Sequence, residues 1–212
     1  MLPYCISFYD GKKAWSYYLT DFNNTGEMII TAFKSVFKRK YNRHVIYAHN
    51  FAGFDSIFIL KELIKFTEVK PLVKDGKFID VSIKYKDYNF RIRDSFLLLP
   101  SSLRSLAKSF NVTNKSHFPF EFVNNEDISL DYKGPIPDFY LWNSLTQEEY
   151  SSMDKNSWDL RKETIKYCEI DCISLHEIMK SFGKMINNRW KVNLHKYPTL
   201  PSLTFASIES II

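Results

Sequence analysis

Three groups of residues in this chain have the types and spacing for chemistry: Asn50 with Asp55, Asp94 followed by Ser95, and Tyr167 with Asp171. Tyr167 and Asp171 stand four apart, so on a helix both side chains lie on one face. Asp55 falls in the first turn of a helix predicted to follow a short strand, where the dipole favours a carboxylate. Carboxylates brought from distant segments to strand ends are what a two-metal phosphodiester hydrolase needs, with two hard cations about 4 Å apart holding the attacking and leaving oxygens. A tyrosine hydroxyl beside them can orient the attacking water. Asn50 and Asp55 also fit as plain helix caps, and spacing alone leaves both readings open. A rival set is Cys168, Cys172 and His176 as zinc ligands. A helix turns about 100° per residue, which puts His176 roughly 80° around from Cys168, and the cysteines fall on an apolar stripe. They read as small core residues.

The elements that must position these groups follow from periodicity. Val45 to Ala48 reads as a strand, expected to be central because it carries no charge, and apolar residues at Ile57, Phe58, Leu60, Leu63 and Ile64 then take up helical spacing. The polar cluster His49, Asn50 and Asp55 therefore sits where a strand ends and a helix begins, the place where open α/β sheets bind ligands. Upstream, Pro3–Tyr9 and Ala14–Leu19 flank Asp10-Gly11-Lys12-Lys13 as a hairpin, and Glu27–Lys40 shows one helical stripe. The basic end of that helix, with Lys38, Arg39, Lys40 and Arg43, reads as a solvated face rather than a DNA-binding patch. Downstream come strands at Glu68–Val73, Phe78–Tyr85 and Tyr88–Asp94, then a helix capped by Ser101 or Ser102 and running to about Phe110. Residues 111–137 look like a long polar loop, Thr146–Met153 a short helix with a Thr-x-x-Glu cap, and Leu160–Ile186 the longest helix. Residues 197–203 read as the start of a linker.

The bulk numbers fit one globular domain: 212 residues, 45% hydrophobic. No apolar run reaches the length of a membrane span, so no membrane partner is expected. Three cysteines make a disulfide framework an unattractive reading. The net charge of +5 permits nucleic-acid binding, and the 17% aromatic share suits a channel that stacks unpaired bases, although most of these rings must fill the core.

The motifs HNFAGFDSIFIL, RDSFLLLPSSLRSLAKSFNV and KYCEIDCISLHEIM, with the closing YPTLPSL, resemble the 3′–5′ exonuclease domain of family B DNA polymerases. The protein-primed branch, found on mitochondrial linear plasmids and in bacteriophages, is the most similar. The resemblance implies a ribonuclease-H-like α/β fold, with a mixed sheet of about five strands flanked by helices. It makes Asp55 and Asp171 ligands of Mg²⁺ or Mn²⁺, Tyr167 the residue that positions water, and Lys115 the catalytic lysine. His49, Asn50, Phe54, Phe58 and Ser95 would touch the 3′ end of single-stranded DNA. It also implies a mitochondrial setting, and a terminal protein as partner of the full-length polymerase.

The departures are as specific as the matches. The first exonuclease motif, Asp-x-Glu, supplies two further metal carboxylates in the family; none occurs near the N-terminus, and the polymerase signatures are absent as well. The expectation is an exonuclease-like domain over residues 1–190 and a linker over 191–212, trimmed at both ends and catalytically defective alone. A single-stranded-DNA-binding relic and a nonfunctional reading frame are the competing expectations.

Overall fold

A computed structural model describes residues 3–53, 55–112, 117–125, 127–142 and 145–210. Strands β1 (Cys5–Tyr9) and β2 (Ala14–Tyr18) precede helix α1 (Thr25–Val36). Strand β3 (Val45–Ala48) leads through a 3-10 turn over Phe51–Gly53 into α2 (Asp55–Leu63). Then come β4 (Glu68–Lys74), β5 (Lys77–Tyr85), β6 (Tyr88–Asp94), α3 (Leu103–Ser109), α4 (Phe120–Val123), β7 (Lys133–Gly134), α5 (Gln147–Ser151), β8 (Trp158–Asp159), α6 (Leu160–Trp190) and α7 (Leu200–Glu209). The chain divides into two compact units, Met1–Met28 with Asn114–Ile173, and Ile29–Thr113 with Ser174–Ile212.

The second unit is built on a mixed four-stranded sheet in the order β3-β6-β5-β4. Strand β3 runs parallel to β6, and the other pairs are antiparallel. Alternation puts Val81, Ile83, Phe90 and Ile92 on one buried face. Phe37 stacks on Phe90 with ring centroids 4.7 Å apart, beside Tyr85 and Phe66. Burying a ring of this size contributes about 1.5–3 kcal/mol. A second apolar cluster joins Leu98, Leu175, Met179, Phe182, Val192, Leu194, Leu203 and Ala206, with Tyr47 of β3 packed against it. The fold is thus α/β as the motifs imply, with four strands in the main sheet.

The first unit holds the β1–β2 hairpin, which closes at the expected turn: Asp10 Oδ1 accepts the backbone N–H groups of Lys12 and Lys13, and Gly11 takes φ 88°. Tyr18 is buried and donates its hydroxyl to Leu130 O at 2.7 Å. An aromatic cluster of Phe118, Ile136, Trp142, Leu145, Trp158 and Leu160 forms the core. Thr146 and Glu149 close the predicted capping box at the start of α5.

Several sequence expectations need correction. Strand β3 lies at the edge of the sheet, not its centre, with β6 its one partner among the described residues. It lacks charge because all four residues are half-buried, not because strands flank it. Helix α1 ends at Val36: Lys38 is extended, and the chain turns to seat Phe37 under the sheet. In α2, Ile57 and Ile64 are 70% and 63% exposed, while Ser56, Glu62 and Leu63 are buried, so the buried face is rotated from the predicted one. The stretch 111–137 is not a simple polar loop: it contributes α4 and places Phe118, Phe122, Ile128, Tyr132 and Ile136 in or against the aromatic core. Residues 199–209 do not trail away. Thr199 caps α7, and Leu203 and Ala206 enter the apolar cluster of the second unit.

Candidate nucleic-acid site

The last register pair of the two parallel strands is Ala48 opposite Asp94. Both chains leave the sheet there, and their turns meet beyond the carboxyl ends of β3 and β6, where backbone donors stand unpaired by the sheet. Asp94 fixes that meeting. Its side chain is 2% exposed. Its Oδ2 accepts the N–H of Ala52 at 3.0 Å, and its Oδ1 the N–H of Phe96 at 2.9 Å. One carboxylate therefore holds both turns.

His49 forms the second tie. Its Nε2 lies 2.9 Å from Ser101 O, and its Nδ1 lies 2.9 Å from Ser95 Oγ. A carbonyl can only accept, so Nε2 carries a proton. Burial lowers the pKa of the ring. The neutral tautomer then leaves Nδ1 as acceptor, and the Ser95 hydroxyl donates to it. Ser95 itself is fully buried, and the single proton of its hydroxyl is shared with Ala48 O at 3.2 Å. The Phe96 ring meets His49 edge-on at 5.7 Å.

Between these ties the chain presents Asn50 to solvent, in the left-handed conformation at φ 58°. Asparagine tolerates this conformation because its side chain can bond locally. Gly53 leaves room for it: a Cβ there would stand 2.9 Å from Asn50 Oδ1 and would push the amide aside. Asp55 opens α2, and its carboxyl is held above the usual carboxylate range by desolvation and then by the charge of Asp94. Phe58, one turn on, is half-buried. His49, Asn50, Asp55 and Ser95 are thus gathered at one end of the sheet. Phe54 and Lys115 lie outside the described residues.

Tyr167 and Asp171 belong to the first unit, one turn apart on α6. The Tyr167 ring packs on Phe118 at 5.2 Å and meets Phe120 edge-on at 5.5 Å. These contacts fix the ring from the side of the aromatic core. Sequence reading missed the clamping role of Asp94 and the room that Gly53 leaves. The first was legible only as an acid ending a strand, and the second only as a glycine three residues past an asparagine.

Among the described residues no group of three or more His, Cys, Asp or Glu is gathered to hold a metal ion. At the sheet end, Asp94 gives one oxygen to each of two backbone N–H groups, and Asp55, the acid that opens α2, feels its charge. This donor set does not fit a two-ion centre.

A "Probable DNA polymerase" of Ascobolus immersus is 37% identical over 221 residues, covering 97% of this chain and 18% of that protein. One from Neurospora intermedia is 38% identical over 222 residues, covering 97% of this chain and 23% of the relative. The chain therefore spans about a fifth of the length of these curated relatives. The solved structure of "Phi29 DNA polymerase complexed with single-stranded DNA" aligns at 17% identity with a TM-score of 0.48, covering 98% of this chain and 34% of that one. Residues 36–212 match the model of the family described as DNA polymerase type B, organellar and viral, and the chain belongs to that family.

Proposed function

We propose that this chain is the exonuclease-type portion of a protein-primed family B DNA polymerase and that it takes the 3′ end of a single DNA strand at the carboxyl ends of β3 and β6. The observation that carries the reading is the turn after β3, clamped by Asp94 at Ala52, in which Asn50 faces outward ahead of the acid that opens α2. Asn50 offers an amide to the sugar or base, and Phe58 and Phe54 offer rings on which an end nucleotide stacks. His49 is held neutral, so it adds no charge to the site. Ser95, enclosed beneath it, orients the imidazole.

The ligands proposed for Mg²⁺ or Mn²⁺ are Asp55 and Asp171, with Tyr167 to orient the attacking water and Lys115 to offset charge building on the phosphate. When bound, such ions would activate the water and stabilise the leaving oxygen. Among the described residues the donors gathered at the sheet end fall short of that centre. The chain alone is expected to bind single-stranded DNA and to cut it little or not at all. DNA replication with proofreading, a mitochondrial or plasmid setting and a terminal-protein partner are proposed for the longer polymerase. The organellar description of the family supports the setting.

The test is a Mg²⁺- or Mn²⁺-dependent trimming assay on a 3′-labelled single strand, run beside an oligonucleotide titration. Binding without trimming is the expected result. Robust 3′–5′ trimming that disappears in Asp55→Ala would show that another acid completes the site and overturn the expectation of a defective chain. Absence of any binding that depends on Asn50 would overturn the site itself.

A further inference from the structure

The far end of the same sheet carries a second surface that the exonuclease reading does not use. Cross-strand pairing puts Lys70, Ser82 and Arg91 in one row over three strands, and Glu68, Lys84 and Asn89 in the next. Residues two apart on a strand share a face, so both rows point the same way, opposite to the buried Val81, Ile83, Phe90 and Ile92. Towards Asp94 this polar face is closed: Arg93 is 2% exposed and donates to Asp80 and to His195 O. Towards Asn89 it is open, as a groove of about 380 Å³ walled by Arg43, Lys70, Lys84 and Arg91. A neighbouring hollow of about 390 Å³ adds Lys65 and Lys86.

These six cations are exposed. Glu68 is the one acid lining either cavity. Lys65 and Arg91 reach Glu62 and Asp80 outside the lining, and Lys70 pairs with Glu68. Counting all three acids still leaves an excess of three positive charges around these two adjoining hollows. Self-repulsion of this kind is relieved by a polyanion, and the chain belongs to a DNA polymerase family. We infer that this groove is a second DNA-binding surface that takes the sugar-phosphate backbone of a DNA strand without regard to sequence. Five residues of β6 separate Asn89 from Asp94, about 17 Å at the rise of an antiparallel strand, so the surface is separate from the 3′-end site. The groove's lysines act as phosphate contacts.

The experiment compares the full chain with the triple variant Lys70→Gln, Lys84→Gln, Lys86→Gln, using fluorescence anisotropy of a labelled twenty-nucleotide oligo-dT across a salt series. Loss of three phosphate contacts should make the slope of log affinity against log salt shallower by about 2, at roughly 0.7 per contact for a single strand. A control triple, Lys133→Gln, Lys162→Gln, Lys166→Gln, removes the same charge from the first unit and should keep the parent slope. The Asn50→Ala variant should weaken binding at every salt concentration without changing the slope, which separates this surface from the 3′-end site. All three substituted lysines are exposed, so an unchanged melting temperature is expected and is measured. An unchanged slope in a folded groove variant overturns the inference. So does an equal loss in the control triple, or polyglutamate competing as well as DNA, since either makes the effect one of charge alone.

Discussion

Asp94 and Ala52 are joined by a hydrogen bond of 3.0 Å from the Ala52 N–H to the Asp94 carboxylate, 42 residues on. Through it the end of one strand sets the path of the turn that follows its neighbour. Asp94→Asn keeps the size of the side chain but replaces one acceptor oxygen with an NH₂ group that faces a backbone N–H. A buried donor left unmatched costs about 1–3 kcal/mol, and the variant should melt correspondingly earlier by differential scanning calorimetry.

Asp55→Asn should move the other way. The folded chain holds this carboxyl above its usual range, through desolvation and then Asp94, so the ionised form opposes folding, by a small amount because the residue is exposed and solvent screens it. Between the usual carboxylate pKa and the raised one, the native state binds more proton than the unfolded state, and stability is lost as pH rises through that window. The variant should therefore be more stable than the parent at pH 7, with the gain vanishing as pH falls below the usual carboxylate range. Thermal melts at pH 7 and pH 3.5 check it. A gain of equal size at both would assign the effect to something other than charge.

Acid should weaken the second unit through His49 and His195. Burial lowers both rings, and Arg93 lowers His195 further. With the folded pKa depressed, the unfolded chain takes up protons first as pH drops. Their contribution is complete above the unfolded value, about 6.5, and is lost progressively below it. Urea midpoints measured from pH 8 to pH 5 should fall in that interval, and His49→Gln should flatten part of the fall.

Gly53→Ala isolates the role of Asn50. The new Cβ would meet the Asn50 amide at 2.9 Å, and the end of a flexible side chain yields more readily than backbone. The expected result is a nearly unchanged melt and weaker oligonucleotide binding, by about 0.5–1.5 kcal/mol for one lost hydrogen bond. An isothermal titration equal to that of the parent would show that the amide does not touch the strand.

Arg93→Ala should be among the more damaging changes. The guanidinium is buried and donates to Asp80 Oδ1 at 2.6 Å and to His195 O at 2.8 Å. Removing it leaves Asp80, itself 8% exposed, with the more exposed Arg91 as its remaining ion pair among the described residues. Breaking a buried pair from one side costs about 3–5 kcal/mol. Denaturant unfolding of the variant, beside Arg91→Ala as the milder case, tests the ranking.

What the sequence disclosed and what it hid divide along physical lines. The hairpin around Asp10-Gly11, the β4–β6 run and the capping box at Thr146 were legible because local turn and cap chemistry dictates them. The edge position of β3 was not, since a charge-free strand reads alike whether neighbours or helices cover it. The buried face of α2 was misread because Ile57 and Ile64 fit a helical period yet face outward, an outcome tertiary packing decides. At the site, His49, Asn50 and Asp55 announced themselves by standing at a strand-to-helix turn. Nothing local could show that Asp94 clamps the turn, because its partner Ala52 offers only a backbone N–H.

The bond from Arg93 to His195 O has a consequence in time. It joins residues 102 apart, and a ribosome adds about 5–20 residues each second. The guanidinium of β6 is thus made roughly 5–20 s before its carbonyl partner exists. Through that interval the guanidinium lacks its carbonyl partner and has only side chains made before it, Asp80 and Tyr47 among them. The sheet cannot reach its final packing until the chain has been synthesised past α6, and a nascent protein halted before that point should be a ready target for chaperones and proteases.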